Sequence, residues 1–196
     1  MGCCGNHNST QVENFSVPNR PQQTQSIYQD DIRTVPTTIH IQKVKTEKEI
    51  FIESASKMHN EYRAKHSAPP LIINEEINKI AQQYAEHLAS IDTMAHSTNH
   101  LNGERLGENL YWYCGTQIDG AEMTTSWYDE IAEYDFNNPG FQKGTSHFTQ
   151  VIWKDSKEVG FGYAQSATGA YFGVANYLPG GNIDTSENFR KNVLQS

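Results

Sequence analysis

The sequence predicts an α+β fold, and three observations carry that expectation. Two long stretches and one shorter one repeat apolar residues at helical spacing, while strand-like alternation gathers mostly later in the chain. The last two alternating runs meet at a turn signal, which makes them an antiparallel hairpin. Helices followed by hairpin-connected strands build α+β layers, in contrast to the regular alternation that gives a doubly wound parallel sheet.

In "EKEIFIESASKMHNEYRAKH", Phe51, Ala55, Met58 and Tyr62 form the stripe of a first helix, which Pro69 and Pro70 in "SAPPL" bring to an end. A second helix lies in "NEEINKIAQQYAEHLAS". Asn74 is placed to cap it, Glu75 and Glu76 suit its positive end, and Ile77, Ile80, Ala81, Tyr84 and Leu88 make its apolar face. "AEMTTSWYDEIAEY" reads as a third helix, with Met123, Trp127, Ile131 and Tyr134 toward the core. The stretch "GTSHFTQVIWKDS" alternates like a strand, with Phe148, Gln150 and Ile152 on one side and His147, Thr149, Val151 and Trp153 on the other. "EVGFGYAQSA" and "GAYFGVANYL" form the hairpin around Thr168 and Gly169, and "NLYWY" is a further candidate strand. "PGFQKGTS" and "YLPGGNI" read as loops. Trp112, Trp127 and Trp153 are expected in the core or the wall of a cleft, and Cys114 is expected to be a small packed residue.

The chain has 196 residues, 36% of them hydrophobic and 19% charged, enough for one ordinary core. Its mean hydropathy of -0.69 says that a good part of it is not core. That part is expected at residues 1–46, where Gln, Asn, Thr, Ser and Pro dominate and apolar residues lack sustained periodicity, giving a disordered tether ahead of a domain at 47–196. A net charge of -8 argues against nucleic acid as a partner. The first thirty residues lack the basic start and apolar centre of a secretory signal, and three cysteines, two of them adjacent, provide no disulfide framework for the domain. A reducing, intracellular setting is therefore expected.

His147 opens an apolar run, and other segments supply groups to join it. Glu130 sits on or beside the inward stripe of the third helix, where a buried acid needs a partner. "MAHSTNH" brings His96 and His100, and "LGENLYW" brings Glu108. Neutral imidazoles bind zinc, and carboxylates ligate it or orient a bound water. No His-Glu-x-x-His or cysteine pair is present, so the residues alone favour a buried His/Glu hydrogen-bond network that fixes the fold over a metal site.

The blocks "HNEYRAKHSAPPL", "GENLYW", "WYDEIAEYDFNNPGFQKGTSHFTQVIWKDSKEVGFGYA" and "NYLPGGNI" stand in an order and spacing that resembles the CAP superfamily, and "ENFRKNVL" resembles its intracellular, Golgi-associated branch. The resemblance implies a three-layer α-β-α sandwich with a central, mainly antiparallel sheet. It also implies a cleft holding a His/Glu tetrad of His96, Glu108, Glu130 and His147 that binds a divalent metal, with zinc the implied cofactor. His100 competes for the first position, and the "HS" pair after the second helix favours His96. Two departures stand out: Ser146 where the common signature has Gly or a charged residue, and Ala175 where secreted members have a disulfide cysteine.

The N-terminal "MGCCGNHNST" carries a second signal. Gly2 is a candidate for myristoylation after loss of Met1, and Cys3 and Cys4 are candidates for palmitoylation, although Asn6 occupies the place where Ser or Thr is preferred. The expected protein is a CAP-domain protein anchored by lipid to the cytosolic face of the Golgi or plasma membrane. It would bind a lipid or sterol, a protein partner or a second copy of itself, with no catalytic residue assigned. The alternatives are a metal-dependent hydrolase using the tetrad and a self-associating scaffold in which the tetrad is purely structural.

Overall fold

The computed structural model describes residues 44–196. The expected tether and the acylation candidates Gly2, Cys3 and Cys4 lie outside the described residues. In chain order the elements are α1 (Glu47–Lys65), β1 (Ile72–Ile73), α2 (Glu75–Ile91), β2 (His100–Leu101), β3 (Glu104–Arg105), β4 (Gly107–Tyr113), α3 (Gly120–Tyr128), a 3-10 turn (Asp129–Glu133), α4 (Ser146–Ile152), β5 (Glu158–Gln165), β6 (Tyr171–Leu178) and α5 (Ser186–Asn192).

Helix starts follow the local chemistry. Thr46 and Glu49 form a reciprocal capping box on α1, and the Asn74 side chain accepts from the amides of Glu76 and Ile77 at the start of α2. The main sheet has the order β1-β5-β6-β4; β5–β6 and β4–β6 are antiparallel and the two-residue β1 runs parallel to β5. The sheet is covered on both faces. Alternate residues of β6 divide between two cores: Phe172 and Val174 pack with Ala81, Ala85 and Leu88 of α2, whereas Ala175 and Tyr177 join Phe51, Trp127 and Phe148. The result is the expected α+β sandwich with helices outside a mainly antiparallel sheet.

Four expectations are corrected. The stretch beginning at His147 is the helix α4, because Phe148, Val151 and Ile152 form a helical apolar face and the Glu130 carboxylate accepts from the first free amides. Its alternation suggested a strand, but a seven-residue helix buried from Phe148 to Ile152 takes its conformation from tertiary contacts. The third helix stops at Tyr128 and tightens into the 3-10 turn, which aims Glu130 at α4. Ile131 is correspondingly only half-buried. Trp112 is 49% exposed on the edge strand β4, unlike the buried Trp127 and Trp153.

Two buried polar arrangements hold the layers together. Arg63 of α1 is fully buried, and its guanidinium donates from Nε to the Pro69 carbonyl at 2.8 Å, from Nη1 to Val151 at 3.0 Å and Trp153 at 2.8 Å, and from Nη2 to Ser156 at 2.9 Å. Burial lowers its pKa to about 10, which leaves it charged at neutral pH. The second arrangement runs through His59, Tyr177 and Asn109. His59 Nδ1–H donates to the Ala55 carbonyl at 2.9 Å, so Nε2 accepts from the Tyr177 hydroxyl at 2.8 Å, and that hydroxyl accepts from Asn109 Nδ2 at 3.2 Å. Burial holds His59 neutral, with its pKa pushed down to about 3.

Replacing Arg63 with methionine is expected to cost about 3–5 kcal/mol, because four buried carbonyls lose their donor together. Lysine, with a point charge in place of a planar fork, should recover only a small part of the loss. Urea unfolding monitored by tryptophan fluorescence measures both; wild-type stability in Arg63→Met would refute the role.

Candidate functional site

A cavity of about 490 Å³ lies where the end of β3, the start of β4, the first turn of α4 and the loop after β6 meet. His96, Glu108 and His147 all line it. Glu130 stands behind His147 rather than in the lining. His100 does not line the cavity: it is exposed in β2, with Nδ1 within 2.6 Å of the Thr98 carbonyl.

The four residues form two pairs. His147 Nδ1 lies 2.6 Å from Glu130 Oε1, and Glu130 Oε2 accepts from the backbone amides of His147 at 2.9 Å and Phe148 at 3.2 Å. One carboxylate thus caps α4 and fixes the imidazole in its first turn. His96 Nδ1 lies 2.9 Å from Glu108 Oε1, which also accepts from the Ser97 amide at 2.8 Å; Oε2 accepts from the Ser97 hydroxyl and from Asn176 Nδ2 at 3.3 Å. Both rings direct Nδ1–H to a carboxylate, which leaves Nε2 as the acceptor nitrogen of each neutral imidazole.

Burial pushes the Glu108 carboxyl upward, but the hydrogen bonds from His96, Ser97 and Asn176 together outweigh it and hold the group below its ordinary range. The hydrogen bond to Glu108 raises His96, against its partial burial and the charge of Arg105.

Gly107, Gly180 and Gly181 belong to the remaining wall. A Cβ at Gly107 would sit 2.3 Å from Gln150 Oε1, and one at Gly181 would sit 2.7 Å from the Trp153 ring. Gln150, itself buried, accepts from the Gly181 amide and donates to Ser156, which ties the loop to α4. Asn182, with φ at +56°, donates to the Ser146 carbonyl and accepts from the Thr149 hydroxyl. Ser97, Gln150, Asn176 and Asn182 are site residues that sequence reasoning missed. Ser97 adjoins the histidine in "HS", and Asn182 lies in the "PGGN" loop, but nothing local in the sequence marks Gln150 or Asn176. Among the described residues, no three or more His, Cys, Asp or Glu side chains form a group that would hold a metal ion.

The cysteine-rich secretory protein family model, CAP, matches residues 57–177. The chain belongs to the CAP family. It is 44% identical over 144 residues to human Golgi-associated plant pathogenesis-related protein 1, covering 74% of this chain and 92% of that protein. It is 34% identical over 134 residues to Repressed by EFG1 protein 1 of Candida albicans, covering 68% of this chain and 47% of that longer protein. A solved structure of NaASP2 with Zn2+ shares the fold at a TM-score of 0.56 and 20% identity, covering 76% of this chain and 86% of that one. The CAP fold thus accounts for the sandwich.

The pKa directions set a window for the His96–Glu108 pair. A raised His96 contributes stability below its ordinary 6.5 that is lost as pH rises through its folded value; a lowered Glu108 contributes stability above 4.5 that is lost as pH falls through its folded value. Their coupling should therefore be largest between pH 4.5 and 6.5, at about 0.5–1 kcal/mol because the imidazole is largely solvated. A double-mutant cycle of His96→Ala and Glu108→Gln measures it, and a coupling that keeps rising above pH 8 would contradict this reading.

Proposed function

We propose that this CAP protein binds a divalent metal, zinc foremost, through His96 and His147, and uses the cavity around it to hold a lipid or a protein partner at a membrane, without catalysing a reaction. The observation that carries the reading is the paired geometry: each imidazole gives Nδ1–H to a carboxylate and keeps Nε2 for a ligand, the arrangement by which outer-shell acids set the tautomer and basicity of zinc-binding histidines. Two imidazoles suit zinc, with water or a ligand group completing the shell. Zinc bound there would supply a Lewis-acidic centre for an oxygen or nitrogen donor of the ligand. A CAP relative crystallised with Zn2+ supports the choice of metal.

The glutamates act on the protein side. Glu108 already accepts four hydrogen bonds and Glu130 three, so neither is placed as a free base for a metal-assisted hydrolysis. Membrane attachment rests on the sequence of the N-terminus: a myristoyl group on Gly2 with palmitoyl groups on Cys3 or Cys4 would supply the two lipids that stable anchoring needs. The Golgi association in the name of the human relative favours the Golgi, with the plasma membrane as the other candidate, and acylation of Gly2 would put the chain on the cytosolic face of either.

Calorimetric zinc titration of the full chain should give saturable binding that is lost in His96→Ala and in His147→Ala and retained in His100→Ala. Heat-silent titration of the intact chain, or equal loss in His100→Ala, would overturn the metal reading. In cells, Gly2→Ala is expected to move the protein from the membrane to the soluble fraction; unchanged partitioning would exclude myristate as the anchor.

A further inference from the structure

Asn109 follows Glu108 on β4 and also lines the cavity, but its side chain serves a second hydrogen-bond system. It is buried, and its Nδ2 donates one N–H to the His147 carbonyl at 3.0 Å and the other to the Tyr177 hydroxyl at 3.2 Å. The chain of donors beyond it has a single consistent direction. Backbone carbonyls only accept, so the Asn109 amide must donate to His147 at one end. At the other end, His59 Nδ1–H must donate to Ala55, with the Thr124 hydroxyl 3.1 Å away and itself donating to Gly120 at 2.8 Å. Tyr177 then gives its only proton to His59 Nε2 and accepts from Asn109. Each of these groups is neutral, and no member can reverse its bond without setting two donors or two acceptors face to face.

This chain crosses the molecule from α1 through β6 and β4 to α4. It meets α4 at the residue whose amide and ring are held by Glu130. His147 is thus fixed at three points: ring and amide by Glu130, carbonyl by Asn109.

We infer that Asn109 is a positioning residue for His147, and that the buried chain His59–Tyr177–Asn109 sets the metal affinity of the cleft from within the core. The second half of this inference rests on the zinc reading above; the first half does not. Removal of an outer-shell partner typically weakens metal binding about 10–100-fold, and Asn109 acts one step further out than Glu130, on the backbone that carries the ring. A factor of about 10 is therefore expected for Asn109→Leu. Tyr177→Phe, which leaves one Asn109 N–H without its acceptor but keeps the bond to His147, should have a smaller effect.

The test uses the full chain in two measurements. Hydrogen exchange read by NMR should show the His147 and Phe148 amides of Asn109→Leu exchanging faster than wild type, while the Ser97 amide, held by Glu108, stays unchanged. Phe172→Leu, a truncation in the other core on the opposite face of β6, serves as the control for general destabilisation and should not favour the His147 amides over the others. Zinc titration should then weaken in the order Asn109→Leu beyond Tyr177→Phe, with Phe172→Leu at wild-type affinity. Unaltered His147 exchange in a folded Asn109→Leu protein, or in a folded Asn109→Ser protein if the leucine variant fails to fold, would overturn the positioning role. Normal zinc affinity alongside altered exchange would leave positioning intact and remove the affinity claim. An intact chain that binds no zinc would sink the metal reading and with it the affinity claim, and exchange would still decide the positioning role.

Discussion

A single guanidinium governs how the helical layer meets the strands. Arg63 gathers carbonyls from the turn after α1 and from both sides of the α4 terminus, segments more than eighty residues apart in sequence. These carbonyls are the acceptors that a helix end and a tight turn leave without partners, and in a buried setting each would carry a desolvation cost of about 1–3 kcal/mol. One planar cation with several fixed N–H vectors satisfies them together, which a set of independent side chains would do only at greater entropic cost. Its position decides where α4 ends, and so where the helix that carries His147 sits on the sheet.

The tetrad depends on that placement. Glu130 and Glu108 sit in partly dry surroundings, and each accepts from backbone amides as well as lying against an imidazole. The same bonds that make them good structural acids also use up their acceptor capacity. Structure and site are therefore not separable here: the carboxylate that begins α4 also orients the ring, and the carboxylate on β4 also fixes the segment after α2. The cavity is a meeting place of four chain segments, each held by a bond that serves both purposes.

The sequence disclosed the parts of this arrangement that repeat or punctuate. α1 was legible from its period and the prolines that end it, α2 from its period and the Asn74 cap, and the β5–β6 hairpin from alternation on either side of a turn. The tetrad was legible only through resemblance, because no local spacing joins His96 to Glu108 or Glu130 to His147. α4 reads as a strand because seven residues are too few for a helical period to stand out from an apparent alternation, and the decisive partner, Glu130, lies sixteen residues upstream of Ser146. Arg63 sat in the first helix as an apparently ordinary charged residue. Its burial is set by carbonyls contributed far along the chain, and a sequence window contains nothing that distinguishes it from Lys65, which is exposed.

The glycines in the wall of the cavity limit how this protein can diversify. At Gly107 and Gly181 an added methyl group would meet Gln150 or Trp153, so neither position can acquire a functional group of its own without rebuilding its neighbours. New recognition chemistry has to arrive on the rim, where Arg105 and Ile183 reach the cavity with solvent around them. A lineage exploring different ligands would accordingly change these two positions first, while the histidines, their acids and the glycine wall stay as a constant frame.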